Sequence, residues 1–321
     1  MSRTDFSADL PPEIAPLVTG SVVNEGRATV IVNAAAIPAA QRAGVEETIR
    51  AAIAARQDVD DVRVVMTAER TGPIIIAVGS GKGGVGKSTL TANLAIALAR
   101  KGVKVGLVDA DIYGPSQPVL LGTQGQKPEA RDNKPIPLDS EHGVPHLSMG
   151  HLVAPGKALA WRGPMAAGAL GQLVEAHWPR ETQILLIDLP PGTGDVQLTM
   201  VQKFKPAGAV LVSTPQDLAL IDAARAGQLF DTANVPIIGL VENMSGYACP
   251  SCGEVSDPFG AGGVEVAADR LELPFLGRIP LAMGIRQGSD AGRPPAAGDD
   301  DLARPFLDIA DKVEAWIAAR R

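Results

Sequence analysis

The spacing of apolar residues changes near residue 70. Before it, Arg27-Ala28-Thr29-Val30-Ile31-Val32-Asn33 reads as a strand. Ala39 to Arg56 places Val45, Ile49, Ala52 and Ile53 at helical spacing, and Val62-Arg63-Val64-Val65-Met66 alternates as a second strand. Residues 1–70 are therefore expected to form a small α+β domain, followed by a short polar linker, Glu69-Arg70-Thr71-Gly72-Pro73. From residue 73 to 321 the pattern is different. Near-continuous Val/Ile/Leu runs at 74–78, 104–108, 184–188, 208–212, 237–241 and 275–279 alternate with helical segments. Runs without a polar face are what strands covered on both sides require. The expectation is an α/β fold, a doubly wound, mostly parallel sheet with helices on both faces. Between 113 and 180 the pattern loosens into Pro- and Gly-rich sequence, such as Lys134-Pro135-Ile136-Pro137, and an insertion or mobile loop region is expected. Gly288 to Asp301 is a second such stretch. Leu302 to Arg320 reads as a closing amphipathic helix, and no internal repeat is evident.

Composition narrows the partners. The 321 residues are 45% hydrophobic but only 3% aromatic, so the core must be built from Ala, Val, Leu and Ile. A formal net charge of −7 argues against nonspecific nucleic-acid binding, which rests on basic surfaces. No apolar run reaches the length of a membrane span. Met1 to Leu10 lacks the apolar centre of a secretory signal, so a cytoplasmic protein with neither membrane nor nucleic-acid partner is expected.

The chemistry gathers at the ends of the apolar runs. Gly81-Lys82-Gly83-Gly84-Val85-Gly86-Lys87-Ser88 fits the phosphate-loop pattern G-x-x-x-x-G-K-[ST]. A strand-like run precedes it, and a helix-like run opening at Thr89 follows. Glycines let backbone amides from Gly81 to Thr89 close around phosphates, and the helix adds the positive end of its dipole. Lys87 would reach the β- and γ-phosphates of ATP, and the Ser88 hydroxyl would ligate Mg²⁺. Asp109-Ala110-Asp111 ends the second run, where acidic groups can hold Mg²⁺ or orient an attacking water; helix capping is the plainer alternative. Ile184-Leu185-Leu186-Ile187-Asp188 has Walker B form, an apolar strand fixing a carboxylate for Mg²⁺. The stiff, glycine-bearing Leu189-Pro190-Pro191-Gly192-Thr193-Gly194-Asp195 follows. Asn243, after the run at 237–241, could read an adenine edge, since its amide both donates and accepts. Pro280 could flank the base.

Cys249 and Cys252 form a C-x-x-C pair in Gly/Pro-rich sequence. A thioredoxin-like redox site needs a strand-to-helix context that is absent here. One chain offers two clustered thiolates, and two chains about a twofold axis would offer four. Four thiolates suit a [4Fe–4S] cluster or zinc, and unliganded thiols are the remaining reading.

The second lysine of the loop, Lys82, resembles the deviant Walker A of the dimeric ATPases that include MinD, ParA and the nitrogenase iron protein. That resemblance implies that Lys82 acts on the partner's nucleotide across a homodimer. The ordered set formed by Gly81 to Ser88, Asp109 to Ser116, Trp161-Arg162-Gly163-Pro164-Met165, Asp188 to Asp195, Thr214-Pro215-Gln216, Glu242 to Ser245 and Cys249-Pro250-Ser251-Cys252 is similar to the Mrp/ApbC-type iron–sulfur cluster carrier ATPases, over about residues 73–295. The resemblance implies slow Mg²⁺-dependent ATP hydrolysis and a [4Fe–4S] cluster on the paired cysteines, delivered to apoproteins and received from scaffold proteins. It implies that Asp111 orients the attacking water, that Asp109 supports the metal shell and that Asn243 meets the adenine. A MinD/ParA-like positioning or partitioning ATPase is the alternative, and the cysteine pair speaks against it. Residues 1–70 more weakly resemble a degenerate MIP18-like domain, expected to dock or regulate.

Overall fold

The computed structural model describes residues 2–3, 6, 9–24, 26–34, 37, 41–67, 72–112, 114–152, 163–192 and 194–320. The chain divides into two compact units, Met1–Gly72 and Pro73–Arg321.

In the first unit, Ser2–Arg3, Val18–Asn24, Arg27–Asn33 and Asp61–Thr67 form a sheet in that order. The last pair is parallel and is joined through the helix Arg42–Ala54. Along Arg27–Asn33 the buried residues are Ala28, Val30 and Val32, the period-2 face expected of a half-covered strand. They pack with Ile49 and Ile53 of the helix and with Phe6, Leu10 and Val62. Val18–Asn24 is the strand that the pattern does not announce. Thr19, Gly20 and Ser21 interrupt its alternation, and none of its residues is fully buried.

The second unit is built on a mixed, mostly parallel sheet. Its order is Phe275–Leu281, Ile237–Ala248, Gly208–Ser213, Ile74–Gly79, Ile184–Asp188, Val105–Asp109, Pro145–Ser148, Leu138–Asp139. Every neighbouring pair from Phe275–Leu281 to Pro145–Ser148 is parallel. Short antiparallel strands, Val255–Ser256 and Leu138–Asp139, sit at the margins. Alternate residues feed opposite faces. Ile76, Val78, Leu107, Leu186 and Val210 pack under the helices Lys87–Arg100 and Arg304–Ala318. Ala77, Val108, Leu185, Ile187 and Leu211 pack under Gly163–Val174, Asp195–Phe204, Asp217–Thr232 and Gly263–Arg270. The closing helix buries Phe306, Ile309, Ala310, Val313 and Ile317, an i, i+3, i+4, i+7, i+11 stripe. Lys87–Arg100 is buried along most of its length, and Ala92, Ala95 and Ala97 let it lie close between the sheet and that closing helix.

Two expectations need correction. Residues 113–180 are not simply an insertion, because Pro145–Ser148 joins the sheet parallel to Val105–Asp109. His146 and Ser148 disguise it: both are polar, both are buried, and their polar atoms are matched by hydrogen bonds. The run at 237–241 does not stop before Glu242-Asn243-Met244-Ser245. The strand continues to Ala248, past positive φ at Met244 and Gly246 and a break in pairing register between Asn243 and Tyr247. Tyr113, Trp161, Arg162 and Thr193 of the quoted motifs, and Glu69 to Thr71 of the linker, lie outside the described residues. No helix among the described residues is long and apolar enough to cross a membrane.

Candidate functional site

The parallel strands bring three motifs to one edge of the sheet. Ile184–Asp188 pairs with both Ile74–Gly79 and Val105–Asp109, and the register sets Asp188 opposite Val78 on one side and Asp109 on the other. The loop after Ile74–Gly79 turns into the helix at Gly86, whose φ of 84° only glycine adopts freely. A Cβ there would fall 2.0 Å from Asn243 Nδ2. Asn243 is thus packed on the loop, and its Nδ2 donates to the Val85 carbonyl at 2.7 Å.

A cavity of about 220 Å³ is lined by Ser80, Lys82 to Thr89, Asp111, Gly114 and Pro191. Beside it, sharing Gly86 and Thr89, lies a second cavity of about 450 Å³ with Asn243, Pro280, Leu281 and Ile285 among its walls. The first has the amides and charge of a phosphate site. The second has mostly apolar wall, with Asn243, Arg286 and Asp290 among its polar groups, as a base site can have.

Lys87 is 5% exposed, and its Nζ lies 2.5 Å from Asp188 Oδ1. The Thr91 hydroxyl donates to the Lys87 carbonyl at 2.9 Å and stands 3.3 Å from the same Asp188 oxygen. Asp188 Oδ2 accepts from Gln117 Nε2 at 2.8 Å. Asp109 is fully buried; its Oδ1 accepts from the Asp111 amide, and its Oδ2 from the Gln117 amide and the Ser148 hydroxyl. Burial, and then the Asp188 charge, push its carboxyl up to about 7 despite those three donors. Asp111 lines the phosphate cavity and its Oδ1 accepts from the Gly114 amide at 3.1 Å. Lys82 is half-buried, and its Nζ donates to Gln216 Oε1 at 3.2 Å. The predicted residues Gly81 to Thr89, Asp109, Asp111, Asp188 and Asn243 are therefore gathered at one edge, with Asp109 and Asp188 both fully buried behind the cavity rather than on its wall.

Ser148 leads to a histidine pair. Its amide donates to His151 Nδ1 at 3.2 Å, which places the His151 proton on Nε2, facing Thr123 Oγ1 at 3.3 Å. The Thr123 hydroxyl then donates to His146 Nε2 at 2.7 Å. Burial, and then the neighbouring His151, lower His146 to about 4; burial lowers His151 likewise. The folded state keeps these rings neutral, whereas an unfolded chain protonates them near 6.5. Their contribution to stability is full above about pH 6.5 and is lost as pH falls toward 4. For His146 this amounts to about 2 kcal/mol at pH 5, at about 1.4 kcal/mol per unit. Melting wild type and His146→Gln at pH 7.5 and pH 5 is expected to show a shallower pH dependence in the variant. Equal slopes would remove His146 from the account.

The cysteines sit at the tip of a hairpin. Tyr247 and Ala248 pair with Ser256 and Val255; the Cys249 amide donates to the Glu254 carbonyl, and the Gly253 amide to the Cys249 carbonyl. Cys249 is half-buried and Cys252 exposed. The backbone amides of Ser251 and Cys252 point at the Cys249 thiol and hold it below the ordinary thiol value. Among the described residues no group of three or more His, Cys, Asp or Glu side chains is placed to hold a metal. At the base of the arm, buried Glu242 accepts from Ser245 Oγ, the amides of Gly262 and Val264, and Arg278 Nε.

The sequence did not single out Gln117, Ser148 or Thr91, nor the clamping role of Glu242. Gln117 directly follows the quoted Asp109–Ser116 stretch, but no spacing rule marks it.

The profile of the family described as "ParA: NUBPL iron-transfer P-loop NTPase" matches residues 73–314. The chain is 50% identical over 227 residues to an iron-sulfur cluster carrier protein of Pseudomonas fragi, covering 70% of this chain and 79% of that one. It is 46% identical over 246 residues to the protein of that name in Escherichia coli K12, covering 76% of this chain and 66% of that one. Among solved structures, a nucleotide-binding protein of Archaeoglobus fulgidus in complex with ADP is similar at TM-score 0.63 and 38% identity, over 73% of this chain and 91% of that one. The cell division ATPase MinD of Pyrococcus furiosus is similar at TM-score 0.57 and 26% identity, over 76% of this chain and all of that one.

Proposed function

The chain belongs to the NUBPL iron-transfer P-loop NTPases of the ParA family, and from that premise we propose that it is a homodimeric, slow, Mg²⁺-dependent ATPase that carries a [4Fe–4S] cluster as cargo. The cluster is held by Cys249 and Cys252 of two chains, received from a scaffold protein and delivered to apoproteins in the cytoplasm. One observation carries this reading. The cysteine pair stands on an exposed hairpin tip, with backbone amides turned toward one thiol, as thiolate ligands need. It offers two ligands where a cluster takes four, and exposure suits cargo that must be given up. The unit Met1–Gly72 is read as a docking or regulatory appendage of MIP18-like kind.

The phosphate cavity fits ATP with Mg²⁺. The Ser88 hydroxyl and the Asp188 carboxylate would hold the ion, with Asp109 supporting the metal shell and Asp111 orienting water. The donor set is of hard oxygens, as Mg²⁺ prefers. The ion would supply charge neutralisation for the phosphates. Lys87 would set its charge against them, Asn243 would bound the base beside Gly86, and Lys82 would act on the partner's nucleotide.

Anaerobic reconstitution with iron and sulfide, followed by absorption spectroscopy and iron analysis, tests the carrier reading. The expected result is one brown cluster per two chains. Zinc at two thiolates per chain with no iron uptake would leave a zinc-stapled ATPase instead. The trans role of Lys82 has its own test. Asp111→Asn and Lys82→Ala are each expected to lower hydrolysis, Asp111→Asn by roughly tens- to thousands-fold. Mixed subunits should exceed either variant alone. A mixture that never does so, at any ratio, argues that Lys82 acts within its own chain.

A further inference from the structure

Gln117 touches all three motifs of the nucleotide site. It is completely buried. Its Nε2 donates to the Ser88 carbonyl at 3.0 Å, at the start of the phosphate-loop helix, and to Asp188 Oδ2 at 2.8 Å. Its backbone amide donates to Asp109 Oδ2 at 3.1 Å. Those two side-chain partners are acceptors only, so the amide nitrogen must face them and the orientation is not interchangeable. The opposite atom, Oε1, is buried without a hydrogen-bond partner among the described residues. Buried polar atoms in folded proteins are nearly always matched, so an orphan acceptor at this place calls for a donor.

The chemistry of the surroundings says which donor. Asp109, Asp111 and Asp188 bring three buried carboxyl groups to this edge, against one buried ammonium, that of Lys87, among the described residues. Several buried carboxylates together favour a cation beside them, and a hydrated cation brings donors through its waters. Mg²⁺ characteristically keeps several of its waters and meets protein groups through them. We infer that Gln117 is a positioning residue of the Mg²⁺ site: its Nε2 aims Asp188 at the ion, and its Oε1 accepts a hydrogen bond from a water of the ion's shell. The inference rests on the Mg²⁺–ATP reading above and adds to it a neutral residue that ties the phosphate loop, the Walker B strand and the Asp109–Asp111 segment to one ion.

The test is a Mg²⁺ titration at fixed fluorescent ADP, on wild type and Gln117→Met, a substitution of similar volume without an amide. Groups that orient metal ligands commonly change metal affinity by 10–100-fold, so the half-saturating Mg²⁺ concentration is expected to rise roughly tenfold in the variant. A merely structural residue would weaken ADP binding equally in EDTA and in Mg²⁺, and that outcome overturns the inference, as does an unchanged Mg²⁺ midpoint in a folded variant. Wild-type protein that binds ADP no better with Mg²⁺ than without it overturns the Mg²⁺ reading as well, which separates the two failures. Should Gln117→Met not fold, a crystal structure of the wild-type protein with Mg²⁺ and ADP decides. Oε1 within hydrogen-bond distance of a Mg²⁺-bound water supports the role, and Oε1 bonded to a protein donor instead overturns it.

Discussion

Lys87→Ala is expected to abolish measurable ATP hydrolysis, a loss of at least roughly a hundred- to a thousandfold, the scale of one preorganised electrostatic group at a reacting centre. The structure adds a second effect. The Lys87 ammonium is buried against Asp188, and removing one partner of a buried pair strands the other. The stranded carboxylate would sit in the sheet next to Asp109, whose own carboxyl is already pushed up to about 7. Lys87→Ala should therefore also destabilise the fold, by about 3–5 kcal/mol. The two effects separate in the pair Lys87→Met with Asp188→Asn, which removes both charges. The doubly substituted protein should regain most of the lost melting temperature and none of the hydrolysis. Hydrolysis near wild type in folded Lys87→Ala would sink the phosphate-site assignment.

Cys249→Ala and Cys252→Ala are each expected to eliminate the reconstituted cluster, because a dimer then offers two thiolates where four are required. Neither residue touches the phosphate loop, and the hairpin is held by backbone hydrogen bonds that alanine keeps. Nucleotide binding and the melting temperature should therefore stay near wild type in both variants. Iron content and the visible spectrum are the readout, with nucleotide affinity as the control. A full cluster retained by Cys252→Ala would show that Cys249 alone, or an outside ligand, holds the cargo. The asymmetry between the two thiols adds detail. Cys249 has its thiol lowered by the Ser251 and Cys252 amides and is half-buried, whereas Cys252 is exposed.

Asn243 lies within the strand Ile237–Ala248, and Cys249 directly follows its end. Asn243 is hydrogen-bonded to Val85 inside the phosphate loop, and Glu242 anchors the same strand to the Gly263–Arg270 helix and to Arg278. The nucleotide cavity and the cysteine tip are thus joined by a few residues of backbone. A reading of 237–241 as a strand with the asparagine beyond it would leave these two sites unconnected.

The sequence by itself determined much of what is contiguous, though not the strand Val18–Asn24. The eight residues Gly81 to Ser88, the apolar runs that end in Asp109 and Asp188, and the Cys249–Cys252 pair were each legible as candidate site residues from local order. The buried-strand composition was enough to read a doubly wound parallel sheet. The tertiary structure alone decided what depends on distant partners. Pro145–Ser148 is a strand because Leu107, Val108 and Asp109 lie opposite it, although its own residues are polar enough to read as loop. The Lys87–Asp188 pair spans 101 positions. Gln117 meets Asp188 across 71 and Ser148 meets Asp109 across 39, and no spacing along the chain encodes such meetings. The physical reason is the same for each. A polar side chain declares its role only when burial takes water away and fixes which donor faces which acceptor, and burial is a property of the packed sheet.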